Sequence, residues 1–346
     1  MIKYIGSKRL IIPHILKIVR ALKGVESVVD LFSGTARVGH ALKADGFHVT
    51  ANDHNAFAYT LAKCYVEADR TKVEKPVRKI LRELSQTKPK PGYFTETFCK
   101  KSRFFHPKNG ARIDAMRELI AKKSLDPDVE AVVLVSLMEA ADRVDSTTGL
   151  QMAYLKDWAP RAHNDIELRM PEVLKGPGKA TMMDAVEAAG KLTGDLAYLD
   201  PPYNQHSYLC NYHIWETLIK WDKPEVYGVA CKRVDCKKNK SPFNSKKTIH
   251  AVMKEVIDAL DVRYLLVSFN NEGYIAKEEM EEMLSSRGVV KTVEVDYKRY
   301  VGAQIGIYNP QGEKVGKVSH LRNKEYLYLV GHDLDGLSKI SQPKAS

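Results

Sequence analysis

Apolar positions recur at helical spacing near the start of the chain. Ile11, Ile12, Ile15, Leu16, Val19 and Leu22 form one stripe, and Pro13 fits the first turn of the helix they predict. Val28-Val29-Asp30-Leu31-Phe32 then reads as a short buried strand, broken by Ser33-Gly34-Thr35. Val38, Ala41 and Leu42 predict a following helix that closes at Gly46, before a second strand over Phe47–Ala51 ending at Asn52-Asp53. This β-turn-α-β unit is the start of an open α/β sheet. From about 56 to 183 helical patterns dominate. The run 129–141 (VEAVVLVSLMEAA) predicts a buried helix, and proline joints lie at Pro89/Pro91 and Pro171/Pro177. Strand patterns return at Leu196–Leu199 and Tyr264–Phe269. Between them Ile249, Val252, Met253, Val256, Ile257 and Leu260 mark an amphipathic helix. Residues 290–300 and 325–330 read as late strands, with a polar hairpin over 309–323 and a polar tail beyond Val330. The pattern is that of one α/β domain interrupted by a mostly helical insertion.

Composition narrows the class. The chain has 346 residues, 44% of them hydrophobic, which is enough apolar material for a real core and excludes wholesale disorder. No apolar run reaches the roughly 18 residues of a membrane span. Met1 leads directly into Lys3 and Lys8 without a signal-peptide pattern, so a cytoplasmic location is expected. The cysteines Cys64, Cys99, Cys210, Cys231 and Cys236 are sparse and odd in number, which disfavours a disulfide framework. Cys231 and Cys236 lack a second pair to complete a zinc site, and no metal is expected. The net charge of +11 is concentrated. Residues 99–123 carry eight Lys/Arg against Asp114 and Glu118, and residues 230–247 carry seven against Asp235, a net of +6 in each case. Two such patches point to a polyanion, nucleic acid first.

The segment DLFSGTARVG sets a carboxylate, a tight turn and a helix start directly after a strand. Gly34 lets backbone approach a ligand closely. Asp53, at the end of the next strand, stands where a carboxylate grips ribose hydroxyls. A dinucleotide fingerprint would need G-x-G-x-x-G, whereas this chain has Gly34, Ala36 and Gly39, and Asp30 would repel phosphate. An adenosine with a cationic or zwitterionic tail fits better, with S-adenosylmethionine the candidate.

Asp200-Pro201-Pro202-Tyr203 leaves an apolar strand directly. Two prolines force an extended, rigid exit and remove two backbone donors. A carboxylate, a carbonyl and an aromatic ring are thereby offered at the carboxyl end of a sheet strand, where open α/β sheets bind ligands. That set suits methylation of an exocyclic amine. Hydrogen bonds from the amine to the Asp200 carboxylate and the Pro201 carbonyl would favour a pyramidal, more nucleophilic nitrogen. Tyr203 would stack on a base turned out of its duplex.

These blocks resemble the Dam-type family of adenine-specific DNA methyltransferases, above all its FokI-like Type IIS modification branch. The likeness is carried by KYIGSKRL, DLFSGTARVG with TANDHN, DPPYNQHSYLCNYHIWETL and RYLLVSFNNEGYI, and by the longer stretches EAADRVDSTTGLQMAYLKDW and SPFNSKKTIHAVMKEVIDAL. Their order is the family's alpha order. The resemblance implies a Rossmann-like, S-adenosylmethionine-dependent methyltransferase sheet over residues 1–66 and 184–331. It also implies a target recognition domain inserted over 67–183, which leaves 332–346 as the tail. Cofactor binding falls on Tyr4, Lys8, Asp30, Phe32, Gly34, Asp53, Asp184 and Asp200, with Lys8 pairing the carboxylate of the methionine tail. Catalysis falls on Asp200, Pro201, Pro202 and Tyr203, and the target-base pocket on Tyr203, Asn204 and Tyr208. The expected partner is double-stranded DNA with a flipped base, bound by a monomer, with room for a cognate restriction endonuclease. Two departures stand out. Ala36 replaces the usual second glycine, and Ser146 replaces the Asn of an N-T-x-G run over 145–149.

DNA contacts are expected from Lys100, Lys101, Arg103, Lys108 and Arg112 in the first basic patch. Lys232, Arg233, Lys237, Lys238 and Lys240 provide them in the second. Lys-rich loops act as point charges, so phosphate contact is favoured over base readout. Phe104, Phe105 and His106 could wedge a base step or anchor a loop, whereas Trp215, Leu218 and Ile219 are expected to pack a helix. Methylation of RNA adenine, methylation of cytosine at N4 and a non-catalytic DNA-binding regulator are the alternatives.

Overall fold

A computed structural model describes residues 1–147, 149–298, 307–308, 314–316 and 322–334. Most of the hairpin expected over 309–323, and the tail from 335 onward, lie outside the described residues. Seven strands form the central sheet: β1 (Ser27–Asp30), β2 (His48–Asn52), β3 (Lys179–Thr181), β4 (Thr193–Leu199), β5 (Asp261–Asn270), β6 (Val289–Lys298) and β7 (Arg322–Gly331). Their order is β3-β2-β1-β4-β5-β7-β6. The first five run parallel, and β7 enters antiparallel between β5 and β6.

The twofold repeat of a strand explains how this sheet is buried on both sides. Val28, Leu196, Tyr264, Leu266, Leu327 and Leu329 face one hydrophobic cluster. Their neighbours Val29, Ala197, Leu265, Val267, Tyr328 and Val330 face the other. The helices Ile249–Ala259 and Lys277–Ser285 cover the second face through Val252, Met253, Val256, Met280 and Leu284. The first face is covered by Ile12–Ala21 and Arg37–Ala44, and by the long helices of the insertion. Pro13 lies in the opening turn of Ile12–Ala21, as its position requires.

The insertion is helical, as its periodicity predicts, but it has no separate core. Helices Arg70–Ser85, Pro107–Ala121 and Pro127–Arg143 contribute Val73, Leu84, Met116, Val132 and Leu137 to the cluster that holds Ile15 and Val28. The boundary also moves. β3 pairs with β2 within the span 67–183, so the sheet resumes at Lys179. Phe104 and Phe105 are fully buried, and Phe105 meets Trp215 edge-on at 6.1 Å, so both are anchors rather than wedges. Trp215 and Leu218 pack inside, as expected.

One carboxylate organises the start of this region. Asp114 accepts hydrogen bonds from the amides of Gly92 (2.8 Å), Phe94 (2.9 Å) and Thr95 (2.8 Å) and from the Thr95 hydroxyl (2.6 Å). Asp114→Ala strands those donors inside the protein and is expected to destabilise the fold by about 3 kcal/mol or more. Urea unfolding checks this, and a loss below about 1 kcal/mol would show that the loop re-pairs on its own.

Candidate active site at the carboxyl edge of the sheet

The turn after β1 is shaped by positive backbone angles. Gly34 sits at φ 51°, and a Cβ there would lie 3.2 Å from the Tyr4 hydroxyl. Ala36 occupies the left-handed region at φ 58° and is fully buried, so the position that departs from the family's glycine carries backbone strain of about 1 kcal/mol. Asp53 reaches back from the end of β2. Its Oδ2 accepts from the Gly34 amide (3.0 Å) and its Oδ1 from the Asn55 amide (3.0 Å). Asp30 is buried below the turn. One oxygen accepts from the Gly39 amide at 3.0 Å and the other has no partner among the described residues. Burial and the nearby Asp200 push its pKa up to about 8.

Asp200 leaves β4 with its Oδ1 2.9 Å from Lys8 Nζ. The same ammonium lies 2.7 Å from Oε1 of Glu325 on β7. Lys8 is 6% and Glu325 1% exposed. Ser268 donates to Glu325 at 2.5 Å, and Asn270 donates to it at 3.4 Å. Burial pushes Asp200 above the ordinary carboxylate range, and Lys8 pulls it back down.

All eight residues assigned to cofactor binding line one cleft of about 830 Å³, open solvent included: Tyr4, Lys8, Asp30, Phe32, Gly34, Asp53, Asp184 and Asp200. Pro202 and Tyr208 line it too. Tyr208 stacks on Tyr4 at 5.1 Å, and Tyr4 on Tyr212 at 4.6 Å, so KYIGSKRL is pressed onto the segment after DPPY. Tyr203 lies outside the lining. Its ring meets Phe269 edge-on at 5.9 Å, and its carbonyl accepts from the Tyr274 amide at 2.9 Å. Pro201 and Asn204 are also outside it. Asn204 instead accepts through its carbonyl from Asn244 (2.7 Å).

The cleft suits an adenosine that carries a positive sulfonium. Its lining holds the carboxylates Asp30, Asp53, Asp184 and Asp200 against two cations, Lys8 and Arg37. Polar atoms of Asp30, Ser33 and Asn55 are buried without partners among the described residues. Lys8 differs from expectation in one respect. Its ammonium is held by Asp200 and Glu325 instead of standing free for a methionine carboxylate. Arg37, in the same lining, has a buried Nε without a partner among the described residues.

The basic residues divide. Arg233 is 2% exposed and locked between Asp222 (2.7 Å) and Asp235 (2.8 Å), so its guanidinium belongs to the fold and not to a DNA contact. In the first patch, Lys100 pairs with Glu96 and Lys108 with Asp165, and Arg112 donates to the Ser85 carbonyl. Arg103 stacks on Trp158 at 4.7 Å, while Lys101 is exposed. In the second, Lys232 is half-buried, Lys238 and Lys240 are exposed, and exposed Lys237 lies over the Tyr227 ring at 4.2 Å. This loop adjoins the cleft through Ser241 and Phe243. Asn244 ties it to the carbonyls of Asn204 and His206.

Two residues of the site were not singled out in the sequence. Glu325 shares its strand face with Leu327 and Leu329, so a carboxylate at an inward position of an apolar strand was the available signal. Asn244 gave none, because a polar residue in a Lys-rich loop looks like solvent-facing chain.

A family model for D12 class N6 adenine-specific DNA methyltransferases matches residues 4–283. The chain belongs to that family. S-adenosylmethionine is the family's methyl donor, in keeping with the charge of the cleft. The chain is 30% identical to the Type II methyltransferase M.FokI of Planomicrobium okeanokoites, over 86% of this chain and 49% of that protein. It is 30% identical to the modification methylase StsI of Streptococcus sanguinis, over 86% and 48%. It thus spans about half the length of these two relatives. Against the Type II methyltransferase M.NlaIII of Neisseria lactamica, identity is 27% over 87% of this chain and 88% of the relative.

Asp53→Ala is expected to weaken S-adenosylmethionine binding about tenfold, the loss of one charge-assisted contact. Calorimetric titration measures it, and a change below twofold would take Asp53 out of the cofactor cradle.

Proposed function

We propose that this chain transfers a methyl group from S-adenosylmethionine to the N6 amine of an adenine flipped out of duplex DNA, acting as a monomer. The observation that carries the reading is that Asp200 of DPPY opens into the same cleft as Asp53, Gly34 and Tyr4. When bound, the cofactor would supply an activated methyl group, the methyl–sulfur bond breaking as the C–N bond forms and the sulfonium leaving as a neutral thioether. Tyr4, Gly34, Asp53 and Asp184 hold it, while Asp200 and the Pro201 carbonyl take the hydrogens of the target amine. Asp200 must be ionised to do so, and its carboxylate receives the surplus proton as the new C–N bond forms. The rate therefore rises with pH through the raised Asp200 pKa. Tyr208, already in the cleft wall, is the better placed ring for the flipped base.

The family's adenine specificity favours this reading over cytosine N4 methylation and over a non-catalytic regulator. A role as the modification partner of a restriction endonuclease is in line with the named relatives. The helical segment 67–178 carries target recognition, and the loop 237–247 grips phosphate beside the extruded base. Sequencing that detects modified bases, applied to DNA from cells expressing the chain, tests the whole reading. Methyladenine at one recurrent sequence is the expected result.

Asp200→Ala should reduce methylation by at least about a thousandfold, while cofactor binding persists in part. Near-normal turnover would remove Asp200 from the chemistry. Replacing Lys237, Lys238 and Lys240 by Gln should flatten the log–log salt dependence of DNA binding by up to roughly 2.7, at about 0.9 per phosphate contact. An unchanged slope would place the phosphate grip elsewhere.

A further inference from the structure

We infer that Glu325 is a positioning residue that acts through Lys8 to set the charge and orientation of Asp200. The inference rests on the methyltransferase reading above and deepens it.

Three distant parts of the chain meet here. Lys8 comes from the amino-terminal turn, Asp200 from the end of β4 and Glu325 from β7, the antiparallel strand inserted between β5 and β6. The ammonium holds one oxygen of Asp200 at 2.9 Å and one of Glu325 at 2.7 Å. Glu325 is fixed in turn by the Ser268 hydroxyl (2.5 Å) and the Asn270 amide (3.4 Å) on the neighbouring strand. It does not line the cleft, so it acts on the reaction through the shared Lys8 ammonium and through its own charge at Asp200.

Two carboxylates on one buried lysine leave a net negative charge. A core built for stability alone would avoid it, because desolvation of each ion outweighs much of the attraction. The arrangement has two consequences for Asp200. Oδ1 is pinned by Lys8, which leaves Oδ2 to accept an amine hydrogen. The second carboxylate shares the ammonium, so Asp200 is a stronger acceptor than in a simple one-to-one pair, where Lys8 would neutralise it more fully. The other titratable groups in electrical reach are Asp30 on β1 and the phenols of Tyr4, Tyr198, Tyr203 and Tyr208. Burial pushes all four phenols above their ordinary value, so they stay neutral across the working range. Asp30, raised to about 8, titrates on the alkaline side of Asp200.

Glu325→Gln keeps the shape and an oxygen for Lys8 but removes the charge. Asp200 should then lose its proton at lower pH. Two readouts on the whole chain test this. The first needs no turnover: the carboxyl carbon of Asp200, assigned by its disappearance in Asp200→Asn, is followed by carbon NMR through a pH titration. Its midpoint should fall by about one pH unit in Glu325→Gln and return in Glu325→Asp. The second is the pH profile of methylation. The acid limb should move down by the same amount, while kcat at pH 8 falls about tenfold and KM for DNA stays within twofold. An Asp200 midpoint identical in wild type and Glu325→Gln would overturn the inference, even if thermal stability drops, since that pattern marks a structural residue. Absence of adenine methylation by the wild-type chain would instead overturn the methyltransferase reading. The NMR titration would still decide whether Glu325 sets Asp200.

Discussion

The shared ammonium of Lys8 is the constraint on which the cleft depends. It joins the first turn of the chain to the end of the fourth strand and to an antiparallel strand more than three hundred residues away. Lys3, bonded to Asp142 and Asp145, the Ile5 amide on the Tyr212 hydroxyl and the stacking of Tyr4 on Tyr208 and Tyr212 also hold KYIGSKRL over the sheet edge, but among the described residues only Lys8 ties it to Asp200 and β7. With that bridge, one wall of the cleft is fixed, and the DPPY carboxylate is presented in a defined direction. Ion pairs in a dry interior are weak sources of stability and strong sources of geometry, and geometry is what transfer of a methyl group between two bound partners requires.

The sheet distributes the other tasks by face and by edge. Its parallel strands end together, so the turn after β1, Asp53 after β2 and Asp200 after β4 converge without any of them being near in sequence. The antiparallel β7 adds Glu325 from behind. One sheet face is closed by helices that follow the strands locally, whereas the other is closed largely by the insertion. The insertion and the sheet thus share a core.

The two basic patches show why charge in a sequence is a weak guide to contact. Both have the same net charge, yet the first is largely engaged by neighbouring carboxylates and carbonyls. The second keeps Lys237, Lys238 and Lys240 exposed along a loop that borders the cleft. Arg233 lies within the second patch and faces inward, between two aspartates. Exposure and pairing, which separate these roles, are properties of neighbours that the chain brings together only on folding.

Periodicity was enough to place β1, β2, β4, β5 and the late strands, the helices Ile12–Ala21 and Ile249–Ala259, and the helical character of 67–178, because each signal is written over a few adjacent residues. The residues that line the cleft were legible for the same reason, since the turn and the strand ends carry short motifs. What the tertiary structure decided was of longer range. It merged the insertion with the main core, placed β3 in the sheet, turned Tyr203 toward Phe269 and gave Lys8 a second carboxylate. A buried charge is recognisable from local sequence only as an oddity in an apolar strand. Its partner is chosen by the topology that sets β7 between β5 and β6, and no local pattern encodes that choice.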